Sequence, residues 1–316
     1  MPKDRIFLTV DVEAQPRRAV GDPVENLIYG RFGHEQFGIG RMMDIADAHD
    51  AKITFFLDLA EYDLYGDRIL DVGKFIVDRG HDLQVHIHPE FLSKDFFFAR
   101  GLPRTVNFFE MPHEAAKYIS EYICGLYSKI SPDSPIAFRG GGYRYGSEIL
   151  KCLAEYGVRV SSNYNYGRNI DYLNLGVQRV FKWSLGVLEM PISCTEKLGN
   201  LDRTIEYNYN SGVFNKEGWS RDIFAQRHNA FLDDVSSSSA FKNGAPIVLV
   251  MHSWSFLCKD EDGRFSSPST FLADRFSDLL SVVSERAEFS TMKDSQNLYF
   301  EDPSIQEFAL PDHLRL

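Results

Sequence analysis

Four short segments carry side chains able to do chemistry. Asp11-Val12-Glu13 places two carboxylates two residues apart. On an extended segment, residues i and i+2 share a face. Two like charges held side by side repel unless a cation or proton lies between them. A solvated strand end accounts for the pair as well. His86-Ile87-His88-Pro89 repeats the spacing with imidazoles. Pro89 keeps His88 extended and ends the strand, so the two rings project together, as a shared metal requires. Paired core or surface histidines are the plainer reading of this segment alone. Joined to the carboxylates, two histidines and an acid form the ligand set of a catalytic zinc with open coordination positions.

The third segment is Arg139-Gly140-Gly141-Gly142-Tyr143. Its glycines let backbone approach a ligand closely, and their N–H groups could form an oxyanion site. A tight strand-to-helix turn is the alternative. The phosphate-loop spacings GxxxxGK[ST] and GxGxxG are absent. The fourth segment is Leu249-Val250-Met251-His252-Ser253-Trp254. His252 follows an apolar run and is either a satisfied structural histidine or an acid–base group. Ser253 is not read as a triad nucleophile: no GxSxG elbow surrounds it, and adjacent strand residues face opposite ways.

Each segment sits where a strand ends. Strands are expected at 5–10, 52–59, 82–88, 135–139, 158–163 and 246–253, with one or two more in 180–193. Helices are expected at 39–50, 66–80, 113–130, 146–156, 219–241 and 269–287. Gly80 is placed to terminate the second helix. Strands alternating with helices imply βαβ units and a parallel sheet or barrel, and such folds keep their sites at strand C-termini. Residues 14–38 read as a long loop. Residues 195–220, rich in Tyr, Asn and Gly, fit either a substrate-facing loop or a plain surface excursion. Residues 295–316 have no clear pattern. Their NLYFE (297–301) partly matches a protease-cleavage tag and is read as native.

Composition narrows the classes. The 316 residues are 44% hydrophobic and 25% charged, an ordinary globular balance. The formal net charge of −11 is the wrong sign for a nucleic-acid binder. Cys124, Cys152, Cys194 and Cys258 form no CxxC pair, so neither a zinc knuckle nor a redox motif is present. The N-terminal MPKDRIFLTVDVE lacks the apolar stretch and cleavage site of a signal peptide, and no run of about 18 apolar residues exists. The expectation is a cytoplasmic protein without a membrane span. Oligomeric state is not readable.

The four segments, in this order, resemble the polysaccharide deacetylases of the NodB-homology type, carbohydrate esterase family 4 and its relatives. The resemblance covers roughly 5–255. Thr9-Val10-Asp11-Val12-Glu13 corresponds to the TFDD motif, with Asp11 at the catalytic base and Val12 where the usual metal Asp falls. Some relatives use D-x-D, which makes Glu13 the ligand. Ile53–Phe56 matches the ATFF strand. His86-Ile87-His88-Pro89 is a shortened HSxxHP, a variant of deacetylase-like proteins from surface-polysaccharide clusters. Arg139 to Tyr143 is a glycine-expanded RxPY, and Leu249 to His252 matches LxxH. The fourth motif is not evident, although Glu189-Met190-Pro191-Ile192 stands near its place.

The resemblance implies an α/β fold, a distorted (β/α) barrel of about seven strands formed as one domain over 1–316, with 256–316 as a C-terminal helix and tail. It implies a divalent metal, Zn²⁺ in the first instance, on Glu13, His86 and His88. It implies Asp11 as base, Arg139 orienting it, Tyr143 N–H at the oxyanion and His252 as the acid. Trp254 would face the acyl methyl or sugar ring, or serve structurally. The implied activity is removal of an N-acetyl or N-formyl group from a sugar. With the cytoplasmic expectation, the substrate is a nucleotide- or lipid-linked intermediate of lipopolysaccharide O-antigen or capsule assembly. The alternatives are a metal-independent cyclic amide or ureide hydrolase and an inactive carbohydrate-binding module.

Overall fold

The computed structural model describes residues 3–169, 175, 177, 179–198, 201–237 and 244–310. The expected alternation is present. In chain order come β1 (Asp4–Val12), α1 (Ile39–Asp47), β2 (Thr54–Asp58), α2 (Asp67–Asp78), β3 (Asp82–Ile87), α3 (His113–Tyr127), β4 (Ala137–Gly140), α4 (Ser147–Glu155), β5 (Val160–Ser161), β6 (Phe181–Trp183) and β7 (Val187–Glu189). There follow α5 (Arg221–Ser237), β8 (Pro246–His252), α6 (Thr270–Ser284), β9 (Ala287–Ser290), α7 (Met292–Tyr299) and β10 (Glu307–Phe308). The chain forms two compact units, Met1–Phe55 with Ser193–Thr291, and Phe56–Ile192 with Met292–Leu316. Strand β2 carries the chain from one to the other.

In the first unit β1 pairs in parallel with β8, residue for residue from Arg5↔Pro246 to Asp11↔His252. The first residues of β1 also pair with β9. Parallel strands covered on both faces read as continuous apolar runs. Accordingly, Ile6, Phe7, Leu8 and Val10 of β1 and Ile247, Leu249 and Met251 of β8 are fully buried. Helices α1 and α6 turn Ile39, Met42, Met43 and Phe276, Leu279, Leu280 inward at helical spacing.

Segment 195–220 opens as a hairpin, Cys194–Leu198 with Leu201–Glu206. It then runs along β8, where Tyr209 N donates to Val250 O at 3.0 Å and Val250 N to Tyr207 O at 3.0 Å. Tyr207, Tyr209 and Phe214 are fully buried. Tyr207 stacks on Phe231 with centroids 4.2 Å apart and approaches His228 Nδ1 at 2.9 Å. Burial pushes the His228 imidazole down to about 3, so it is neutral at pH 7. The aromatic content of this segment therefore builds core.

In the second unit the strand order is β2-β3-β4-β5-β7-β6-β10. Pairs β3–β4, β4–β5 and β5–β7 are parallel, while β6–β7 is antiparallel. Stretch 180–193 thus holds two strands. Helix α2 ends where Gly80 takes φ +69°, the left-handed conformation a helix-terminating glycine supplies. The C-terminal stretch without clear pattern is part of the fold. Asn297–Tyr299 lie in α7, Tyr299 is fully buried, and β10 pairs with β6. Residues 311–316 and 238–243 lie outside the described residues.

Candidate active site

In the first unit the site is built on the ends of two neighbouring parallel strands. Asp11, the penultimate residue of β1, is in register with His252, the last of β8. Glu13 follows one residue past β1, so it returns to the side of Asp11. One ligand atom each of Asp11, Glu13 and His252 lies within 4.8 Å of the others. Asp11 and Glu13 are 5% and 4% exposed. Carboxylates this buried and this close demand a cation, a proton or strong donors. Gln15 Nε2 supplies one such donor, 2.8 Å from Glu13 Oε2.

Trp254 backs this cluster. Its ring stacks on His252 with centroids 4.9 Å apart and planes 18° apart. The Arg18 guanidinium lies 5.2 Å from its centroid, and Phe265 packs at 5.6 Å. Trp254 is only 4% exposed. Ser253 is fully buried, and its hydroxyl donates to the Glu13 backbone oxygen at 3.3 Å. It is a strap between the two strand ends.

In the second unit β3 delivers the histidines. His86, 1% exposed, stands in register with Arg139 on β4. The His86 and His88 rings meet edge-on with centroids 5.0 Å apart. His88 Nδ1 lies 3.0 Å from Glu90 Oε1. Arg144 Nη2 donates to both Glu90 oxygens at 2.8 Å. Burial opposes ionisation of Glu90, but the hydrogen bond and charge of His88 and the Arg144 guanidinium outweigh it and hold the carboxyl at about 2.

The glycine run after β4 has two separate causes. A Cβ on Gly141 would stand 2.4 Å from His88 Cε1 and Nδ1, so only glycine lets the ring lie against this backbone. Gly142 and Tyr143 follow at φ +62° and +60°. The left-handed conformation is costly for a bulky residue such as Tyr143 and marks a backbone held for a purpose.

Arg139 is completely buried. Its Nε donates to Ser162 O at 3.0 Å and its Nη2 to Ser162 Oγ at 2.9 Å. The guanidinium also lies 4.3 Å over the Phe56 ring. Ser162 directly precedes residues anchored by Glu189, which the sequence left without a role. The Glu189 carboxylate is 0% exposed. It accepts from Asn163 N at 2.7 Å, Tyr164 N at 2.8 Å and Trp183 Nε1 at 2.9 Å. Burial raises its pKa and these donors partly offset that. The available signal was an acid inside the apolar run Val187-Leu188-Glu189-Met190. Among the cysteines, burial pushes Cys124 up to about 12 and Cys152 up to about 11, where neither is a nucleophile at neutral pH.

Solved structures share this fold at low sequence identity. A protein from Mycobacterium smegmatis described as a polysaccharide deacetylase aligns over 98% of this chain and 95% of its own, with TM-score 0.61 at 14% identity. The chain has the polysaccharide deacetylase fold. This is the α/β class expected from its motifs. A 4-α-glucanotransferase from Thermococcus litoralis also aligns over 98% of this chain and 42% of its own, with TM-score 0.55 at 14% identity. The fold therefore hosts more than one chemistry, and the side chains must decide between them. A family 4 carbohydrate esterase from Streptomyces lividans aligns at TM-score 0.39 and 10% identity, over 92% of this chain and 93% of its own. No protein-family model and no curated protein matches the chain.

Proposed function

We propose that the protein hydrolyses an N-acyl group, acetyl or formyl, from a sugar with the help of a divalent metal. The observation that carries this reading is the meeting of Asp11, Glu13 and His252 at the ends of two paired parallel strands. In this reading the three serve as base, ligand and acid. The donor chemistry fits a metal. Two adjacent imidazoles, one with Nδ1 against a carboxylate, and buried acids are what Zn²⁺ and similar ions take. Glu13, His86 and His88 hold it in this reading. Polarisation of the acyl carbonyl and acidification of water are the chemistry such an ion supplies.

The chain's own residues do the rest. Asp11 takes a proton from the attacking water. Arg139, its guanidinium fixed by Ser162, orients Asp11. The Tyr143 N–H, held in its strained conformation, donates to the developing oxyanion. As the C–N bond breaks, His252 protonates the leaving amine, and the acyl group departs as a carboxylate. Trp254 fixes the His252 ring. The contracted His86–Pro89 motif supports surface-polysaccharide assembly, O-antigen or capsule, as the setting, and the substrate class in this reading is a nucleotide- or lipid-linked intermediate. Among the described residues no helix is long and apolar enough to cross a membrane.

The test is amine release from nucleotide-linked and polyprenyl-linked N-acetyl and N-formyl sugars with Zn²⁺, Co²⁺, Ni²⁺ or Mn²⁺ supplied. The expected result is release from at least one class, stopped by dipicolinate and restored by metal. No release from any of them overturns the reading. Turnover of a cyclic amide that survives chelation replaces it with the metal-independent hydrolase, and sugar affinity without turnover replaces it with a binding module.

A further inference from the structure

We infer that Glu90 is a positioning residue that fixes the tautomer and orientation of His88 as a metal ligand. The inference rests on the metal-dependent reading above. Besides the edge-on His86 ring, the following contacts hold the ring. Glu90 Oε1 lies 3.0 Å from Nδ1, Phe91 packs against the ring at 5.5 Å, and the Gly141 backbone approaches so closely that a Cβ there would overlap it. Glu90 in turn has little freedom. Arg144 grips both its oxygens, and the same guanidinium donates to Gly141 O at 2.7 Å through Nε. Arg104 Nη2 donates to the Glu90 backbone oxygen at 2.8 Å.

The chemistry follows from the tautomer. A carboxylate facing Nδ1 keeps the proton on that nitrogen, and the lone pair then belongs to Nε2. A carboxylate hydrogen-bonded to the non-ligating nitrogen also makes the ring a stronger donor. Arg144 serves both sides: it neutralises Glu90 and ties the acid to the turn that carries the oxyanion backbone. His88, Glu90, Gly141 and Arg144 form one module from two segments, which the parallel pairing of β3 with β4, ending at Ile87↔Gly140, sets side by side.

The experiment compares wild type with Glu90→Ala and Glu90→Gln. ¹⁵N shifts of the His88 ring are read in metal-free protein at pH 8, and Zn²⁺ affinity is read by competition with a chromophoric chelator. Wild type is expected to carry the proton on Nδ1. Glu90→Ala is expected to lose that bias and bind Zn²⁺ about 10–100-fold more weakly. Glu90→Gln keeps an acceptor within reach, so it should retain the tautomer and bind closer to wild type. If Glu90→Ala does not fold, Glu90→Asp, charged but too short to reach, carries the same expectation. An unchanged tautomer and unchanged affinity in the alanine or aspartate variant overturns the inference. A wild type that takes up no metal overturns the reading beneath it, which is a different result.

Discussion

Asp11→Asn is expected to lower kcat for N-acyl sugar hydrolysis by about 10²–10⁴-fold, the usual worth of a positioned general base, while metal content stays at the wild-type level. The two carboxylates at the end of β1 are alike in burial, 5% and 4% exposed, and both lie within ligand range of His252. Position alone does not assign their roles, but substitution does. Asparagine keeps the shape of Asp11 and removes only its basicity. Glu13→Gln replaces a charged ligand with a neutral amide, so it is expected to lose metal and activity together. Plasma mass spectrometry beside an amine-release assay reads both quantities. Metal lost from Asp11→Asn and retained by Glu13→Gln would exchange the two roles.

Glu189→Leu is expected to destabilise the fold by at least about 3 kcal/mol, since each buried donor left without its acceptor costs about 1–3 kcal/mol. The donors include Asn163 N, Tyr164 N and Trp183 Nε1, with the Ser161 side chain beside them. Glu189→Gln should cost less. Its amide oxygen can still accept from the two backbone N–H groups, and only the indole then faces a second donor. Urea unfolding midpoints measure both. A loss below about 1 kcal/mol for the leucine variant, within the range of an ordinary surface change, would show that the carboxylate does not organise this turn. The consequence reaches the site because Ser162, which accepts from Arg139 Nε and Nη2, precedes the anchored residues directly.

Much of this arrangement was legible in the sequence. The strands end where the chemistry-bearing segments stand because parallel strands covered on both faces must be apolar throughout, and their polar side chains collect at the ends. That is why Asp11 and His86 could be placed before any coordinates. Period and glycine punctuation gave α2 with its stop at Gly80. The short strands β9 and β10 leave no signal in the sequence because two to four residues carry no period. The role of segment 195–220 was hidden for another reason: Tyr207 and Tyr209 are polar enough to suit a ligand loop, yet a tyrosine ring packs as core whenever its hydroxyl finds a partner. Glu90 and Glu189 stand in the sequence as acids without visible partners. Their partners Arg144 and Asn163 lie 54 and 26 residues away, and nothing in local spacing reports such pairings.

The central claim is a metal ion held by the two histidines of β3 and a carboxylate of β1. The most direct test is metal content per purified chain in wild type, His86→Ala and His88→Ala, after incubation with divalent ions. The account predicts about one equivalent of Zn, Co, Ni or Mn in wild type, as in a single catalytic site, and its loss from both variants with the fold intact by circular dichroism. A wild type that stays empty, or variants that keep their metal, would contradict it.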